Sequence, residues 1–428
     1  MHLRLKNRVQ SELVRNSARL LTANVVAQVI GLLVYPVLTR MYSADDFGLL
    51  NLFMSIGGIL ILISTADYQN AIVLPKENTR ARAIVQLCLA LVAGMLLLLV
   101  ASIPFSRPLA RLFNAPDLAN WWWLMPLYVG GLSVWAVLSN YYLREKAFRR
   151  ISVYQMSQSV LNAAGKTGLG ACGFFSGGMI VSTLLAPVLA ILVSLLNGGR
   201  QLLSGIFRIN KNALRAEAHA YRNFPLYSMP RSLVSTLCPN LPILMLTPVF
   251  GLTEMGYFGM ALTLAMRPLQ MIVQSVYQVL LQRTAQTVNE RKKIGNLLLR
   301  FVAVAFAVLL PLFVGLYFIL PWLTEVLLGS DWRVSGEYIR LLLPWLLVMT
   351  AVAPIGFIPD VFGQQRVGFI LEIVYMLLTI GALSVGIALR DFRLAMLCYS
   401  LLNTLMISGQ MAWYAWLIRR YDRSVQDA

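Results

Sequence analysis

Two basic side chains stand in the middle of long apolar runs. Arg267 begins a row with Gln270, Gln274, Gln278 and Gln282 at spacings of three and four, which puts five polar groups on one face of a helix. Lys166 continues a second row through Gln155, Ser159 and Asn162. Weaker rows run through Asn24, Gln28 and Tyr35, through Ser228, Arg231 and Ser235, and through Glu372, Tyr375 and Thr379. Arginine holds phosphate through a planar fork of donors and lysine as a point charge, while amides exchange hydrogen bonds with hydroxyls. The chemistry within reach is recognition of an anion rich in hydroxyl groups. Its candidate binding residues are Arg267, Lys166, Arg231, Gln270, Gln274, Gln278, Asn162 and Gln28. Glu372 and Asp67, the acidic groups expected within apolar segments, are candidate acceptors for a coupled proton or sodium ion. A lone Ser, Asn or Gln in such a segment is more often glue between helices, whereas a charge near its middle is costly enough to read as functional.

Other motifs carry no chemistry. Gly165-Lys166-Thr167 ends like a phosphate-binding loop, but Val160 occupies the place of the required first glycine and no strand precedes it. His2 and His219 lack metal-ligand spacing, and Cys88, Cys172, Cys238 and Cys398 show no zinc, redox or disulfide pattern. No catalytic residue, metal, nucleotide or other cofactor is expected.

The elements that must position these rows follow from composition. The 428 residues are 58% hydrophobic and only 13% charged, about half the charge that covers a soluble protein. The mean hydropathy of +0.69 extends that deficit along the chain. At ~20 residues per crossing there is room for roughly twelve membrane spans. Windows of that length place them near 17–39, 47–67, 82–104, 121–143, 152–174, 177–197, 226–249, 256–282, 296–320, 337–359, 367–389 and 394–418. The first run is too long for a signal-peptide core and reads as a retained span. The longest outer loops, near 105–120 and 321–336, are too short for the catalytic loop of a lipid-linked-sugar enzyme. Trp121, Trp122 and Trp123 suit an interfacial belt.

The net charge of +18 is read as the bias of cytoplasmic loops, and nucleic acid is not an expected partner. With a cytoplasmic N-terminus, Lys and Arg number 25 in the inner segments and 6 in the outer ones, which puts both termini inside. A shift of 208 residues aligns Leu38, Thr39, Tyr42, Asp46 and Gly48 with Leu246, Thr247, Phe250, Glu254 and Gly256. Six spans per repeat make the two halves parallel, with a binding site expected between them. The expected fold is therefore all-α: a polytopic membrane protein of about twelve transmembrane helices in two pseudo-symmetric six-helix lobes around a central cavity. The lobes are 1–198 and 225–428, joined by a cytoplasmic linker over 199–224.

Six segments carry a family likeness: PVLTRMYSADDFG at 36–48, YQNAIVLPKENTRA at 68–81, NYYLREKAFRRIS at 140–152, YRNFPLYSMPRSLVSTLCPNLPILML at 221–246, GYFGMALTLAMRPL at 256–269 and GSDWRVSGEYIRLLLPWL at 329–346. In these the chain resembles the polysaccharide-transport (Wzx-type) flippases of the multidrug/oligosaccharidyl-lipid/polysaccharide exporter superfamily. The resemblance implies an inner-membrane protein that flips an undecaprenyl-diphosphate-linked oligosaccharide for surface polysaccharide assembly. A polysaccharide polymerase and a chain-length regulator are the candidate protein partners. A multidrug or organic-cation antiporter shares the superfamily fold, but acidic groups near mid-span would be expected in it.

Overall fold

The computed structural model describes residues 26–196 and 211–426. Asn24, the basic N-terminal tail and much of the expected linker lie outside the described residues. Among the described residues there is no strand. The first half holds α1 (Val26–Met41), α2 (Ala44–Thr65), α3 (Asn78–Ala101), α4 (Met125–Arg144), α5 (Phe148–Ala171) and α6 (Phe175–Leu196). After them come α7 (Lys211–Ala220), α8 (Met229–Asn289), α9 (Gly295–Leu328), α10 (Arg333–Val352), α11 (Gln365–Leu389) and α12 (Phe392–Gln426).

Helix α8 is interrupted at Gly251, whose φ of 83° and ψ of 178° only glycine adopts readily. It is thus two segments, 229–250 and 252–289. With the short polar α7 set aside, the described residues contain a helical segment at the place of each of the twelve expected spans. Nine described helices, α8 counted once, are long and apolar enough to cross a bilayer. The described part of α1 is shorter, and α5 fails on polarity, not on length.

The helices overrun the sequence windows because helical geometry does not stop at the edge of hydrocarbon. Helix α2 starts at Ala44 rather than near 47 because Ser43 and Asp46 form a reciprocal cap. The Ser43 side chain accepts from the Asp46 amide at 3.2 Å and the Asp46 carboxylate from the Ser43 amide at 2.9 Å. The outer loop expected near 321–336 is mostly helix: α9 runs to Leu328 and α10 begins at Arg333, with a tight turn Ser330–Trp332 between them. The segment 105–120 carries the short helices Ser106–Leu112 and Asp117–Trp121.

The chain forms two compact units, Met1–Asn240 and Leu241–Ala428, divided within the first segment of α8. In the first, α3 packs on α4, α5 on α6, and α6 on α4. In the second, α9 packs on α10, α11 on α12, and α12 on α10, the same pairings in the same chain order. The aligned residues Leu38, Thr39, Leu246 and Thr247 are all buried. The first core gathers Ile84, Cys88, Val137, Tyr142 and Ile191; the second gathers Leu298, Val302, Val352, Phe357 and Ile418.

The Gly165-Lys166-Thr167 tripeptide lies inside α5, and its glycine has a packing reason. A Cβ at Gly165 would come within 2.8 Å of Ser182 Oγ on α6, so the missing side chain lets the two helices close.

Candidate functional site

The α5 row faces α1. Ser159 Oγ donates to the Ala27 carbonyl at 2.7 Å, and the Tyr42 hydroxyl donates to the Lys166 carbonyl at 2.6 Å. Lys166 itself is half-buried. On these facing helices Gln28 Oε1, Gln155 Oε1 and Asn162 Oδ1 are buried with no hydrogen-bond partner among the described residues. A buried acceptor left unmade costs about 1–3 kcal/mol, so three together favour a ligand that brings donors. The structure thus brings Lys166, Asn162 and Gln28, three of the sequence candidates, to one pair of facing helices.

The second row lies on the 252–289 segment of α8, within the second unit. Gln270, Gln274, Gln278 and Gln282 are exposed, and Arg267 above them is half-buried. Beside this row the segment is packed, with Leu280 and Thr284 buried and the Tyr277 ring set edge-on to Phe357. Arg231 is exposed in the first turn of α8, in the first unit with Lys166. Ser228, expected to share a polar row with Arg231, is committed elsewhere: its hydroxyl donates to the Asp67 carboxylate.

Asp67 sits just beyond the end of α2, not within a span. It is 1% exposed and has a left-handed backbone, φ 62°. Its Oδ1 accepts from Asn70 Nδ2 at 2.8 Å and Gln69 Nε2 at 3.2 Å, and its Oδ2 from Ser228. Glu372 is half-buried within α11. One turn on, the Tyr375 hydroxyl donates to Asn403 Oδ1 and ties α11 to α12, and Thr379 is fully buried.

The segments 68–81, 140–152 and 221–246 stand in the sequence as separate marks of a family likeness. The fold joins them along the connection between α2 and α3. Arg144, at the end of α4, donates to the carbonyls of Pro75 and Lys76 and to Asn78 Oδ1, gripping the turn before α3. Arg80 makes a two-pronged pair with Glu217 of α7 at 2.7 and 3.0 Å, and the Tyr68 hydroxyl donates to the Ala218 carbonyl at 3.0 Å. Burial raises the Tyr68 phenol above its ordinary pKa. Helix α7, expected to be linker, is therefore docked on α3. Ala213, Leu214, Glu217 and Ala218 recur at helical spacing along its less exposed side, the one signal that could have shown a docked face.

The tryptophan triplet divides between two roles. Trp122 is buried and donates to Ser102 Oγ at 2.9 Å, Trp121 meets Phe174 edge-on, and only Trp123 is exposed as a belt residue would be.

Residues 37–337 match the family described as polysaccharide biosynthesis protein. The succinoglycan biosynthesis transport protein ExoT of Rhizobium meliloti (strain 1021) is 23% identical over 398 residues, which is 90% of this chain and 76% of that protein. Among solved structures, an inward-facing multidrug resistance MATE family transporter of the MOP superfamily aligns with a TM-score of 0.70 at 15% identity, over 92% of this chain and 96% of that one. An outward-facing MATE family transporter aligns with a TM-score of 0.61 at 16% identity, over 95% of each chain. A MOP superfamily transporter from Pyrococcus furiosus, whose binding pocket is described as reversed in polarity, aligns with a TM-score of 0.54 at 14% identity, over 95% of each chain. At these identities the structural likeness establishes the fold, a multi-pass helical transporter fold. The family match covers well over half of the residues, and the chain belongs to the polysaccharide biosynthesis protein family.

Proposed function

We propose that the protein flips an undecaprenyl-diphosphate-linked oligosaccharide from the cytoplasmic to the periplasmic leaflet of a bacterial inner membrane, by alternating access and without hydrolysing nucleotide. The observation that carries this is the α1–α5 face, where Lys166 accompanies three buried amide oxygens that await donors. Sugar hydroxyls would satisfy those oxygens, and a diphosphate would be drawn by Lys166 and Arg231 in the first unit, with Arg267 in the second a candidate contact of its own. The glutamine row of α8 adds exchangeable donors and acceptors of the same kind. An organic-cation antiporter would want carboxylates at mid-span, whereas Asp67 lies beyond the end of α2 and is held by Ser228, Asn70 and Gln69, which leaves Glu372 of α11 as the acid candidate within a span. A polymerase and a chain-length regulator would receive the product on the outer side.

A cargo of two negative charges gains about 4.6 kcal/mol in crossing 100 mV toward a positive outside, so the membrane potential alone can drive export. A coupled proton or sodium ion would then reset the empty carrier, with Glu372 as the better-placed acceptor. The test is movement of a labelled lipid-linked oligosaccharide in proteoliposomes under an imposed potential without ATP. Movement that needs ATP, or that ignores both potential and ion gradients, would overturn the reading.

A further inference from the structure

The end of α12 carries basic side chains that the transport cycle does not use. Ala412, Ala415, Trp416, Arg419, Arg420 and Arg423 recur at spacings of three and four, so they share one helical face, and a recess of about 660 Å³ lies against it. Trp416 is 54% exposed, and the Arg420 guanidinium rests over its ring at 5.4 Å. None of the three arginines is ion-paired with a described residue. The acidic neighbour that could neutralise them is turned away: Asp422 accepts from the amides of Ile294 at 2.8 Å and Gly295 at 2.9 Å, at the start of α9. That contact also holds the end of α12 in place, so the arginines project from a fixed helix.

The length of α12 sets the depth of this face. At 1.5 Å per residue, Trp416 lies about 36 Å and Arg423 about 47 Å along the axis from Phe392. With Phe392 at the outer edge of hydrocarbon ~30 Å thick, Trp416 reaches the far interface and the arginines reach the headgroup layer. Three uncompensated cations at headgroup depth, above two alanines and an exposed indole, match a phosphate above an acyl chain.

We propose that this face is a binding site for an anionic phospholipid of the inner leaflet. Arg419, Arg420 and Arg423 hold its phosphate, and Ala412, Ala415 and Trp416 bed its acyl chain. The site rests on the cytoplasmic placing of the C-terminus, and it requires neither the sugar cargo nor its transport.

The test uses the full chain in phosphatidylcholine vesicles that contain a minor fraction of acyl-brominated phosphatidylglycerol. Trp416 emission, taken as the difference between wild type and Trp416→Phe, should be quenched more strongly by that lipid than by equally brominated phosphatidylcholine. Each cation near an anionic lipid contributes about fivefold, so Arg419→Ala, Arg420→Ala and Arg423→Ala combined should lower the preference by about a hundredfold. The single variant Arg420→Ala, with a smaller expected loss of about fivefold, serves if the triple variant fails to fold. Equal quenching by the two lipids, or a preference that survives the substitutions, would overturn the proposal. So would displacement of the brominated lipid by inorganic diphosphate, or by undecaprenyl diphosphate at a lower concentration than phosphatidylglycerol needs. Those two outcomes would mark a free-phosphate site or a carrier site. No sugar, gradient or transport enters the assay, so its failure is separate from failure of the flippase reading.

Discussion

Replacing Asp67 separates a structural carboxylate from an ion-coupling one. The side chain is 1% exposed, accepts from Ser228, Asn70 and Gln69, and sits on a backbone at φ 62°. Asparagine tolerates the left-handed region and keeps an acceptor oxygen for Asn70, while its amide nitrogen can donate to the Ser228 hydroxyl. Asp67→Asn should therefore cost only about 1–2 kcal/mol, the difference between charge-assisted and neutral hydrogen bonds. Asp67→Ala removes every acceptor and adds about 1 kcal/mol for alanine in the left-handed region, for a total of about 3–5 kcal/mol. The assay pairs thermal unfolding in detergent with polymer export in cells, corrected for protein abundance. Near-normal export in Asp67→Asn, with a clearly lower unfolding temperature in Asp67→Ala, is the expected result. Loss of export in a stable, abundant Asp67→Asn would refute the reasoning, because only a group that must ionise would be sensitive to that exchange.

Arg267→Ala should abolish export at normal protein abundance, since losing a charge-assisted contact costs about 1.5–3 kcal/mol; Arg267→Lys should rescue only in part because the fork is gone. Wild-type polymer levels in well-expressed Arg267→Ala would remove it from the site. Asp422→Ala should destabilise the second unit by about 1–3 kcal/mol, because two amides at the start of α9 lose their acceptor, and an unchanged unfolding temperature would contradict that. Reporter fusions after Arg215 and after Asp331 should give opposite sidedness, and equal sidedness would overturn the orientation drawn from Lys and Arg counts.

The helical class and the order of the spans were legible because hydrophobic length is a local property, read one window at a time. Helix ends were less legible because caps are polar. Ser43 and Asp46 start α2 with side chains that a hydropathy window scores as loop, and α9 and α10 run through the stretch read as an outer loop. The cluster around Asp67 was illegible for a different reason. Arg144 and Asn78 are 66 residues apart, and Asp67 and Ser228 are 161 apart, so no local spacing announces either pair. Each residue also reads alone as an ordinary cytoplasmic-end group, and only the fold shows that Arg144 grips the turn before α3, that Ser228 donates to Asp67 and that Arg80 pairs with Glu217 of α7.

The candidate site was legible through the feature that makes α5 look least like a span. Gln155, Ser159, Asn162 and Lys166 lower its apolar character until, among helices otherwise long enough, it fails the test that nine others pass. Yet α5 packs along α6 through Gly165 and along α1 through Ser159 and Tyr42, so it belongs to the bundle. A helix too polar to face lipid can persist there only if its polar face meets protein, water or cargo. Ser159 and the Lys166 carbonyl meet protein; the oxygens of Gln28, Gln155 and Asn162 do not meet a described donor. Interhelical glue would close such acceptors, because closing them is what makes it glue. A face half closed and half open is what a carrier requires if its ligand must be held during crossing and released after it.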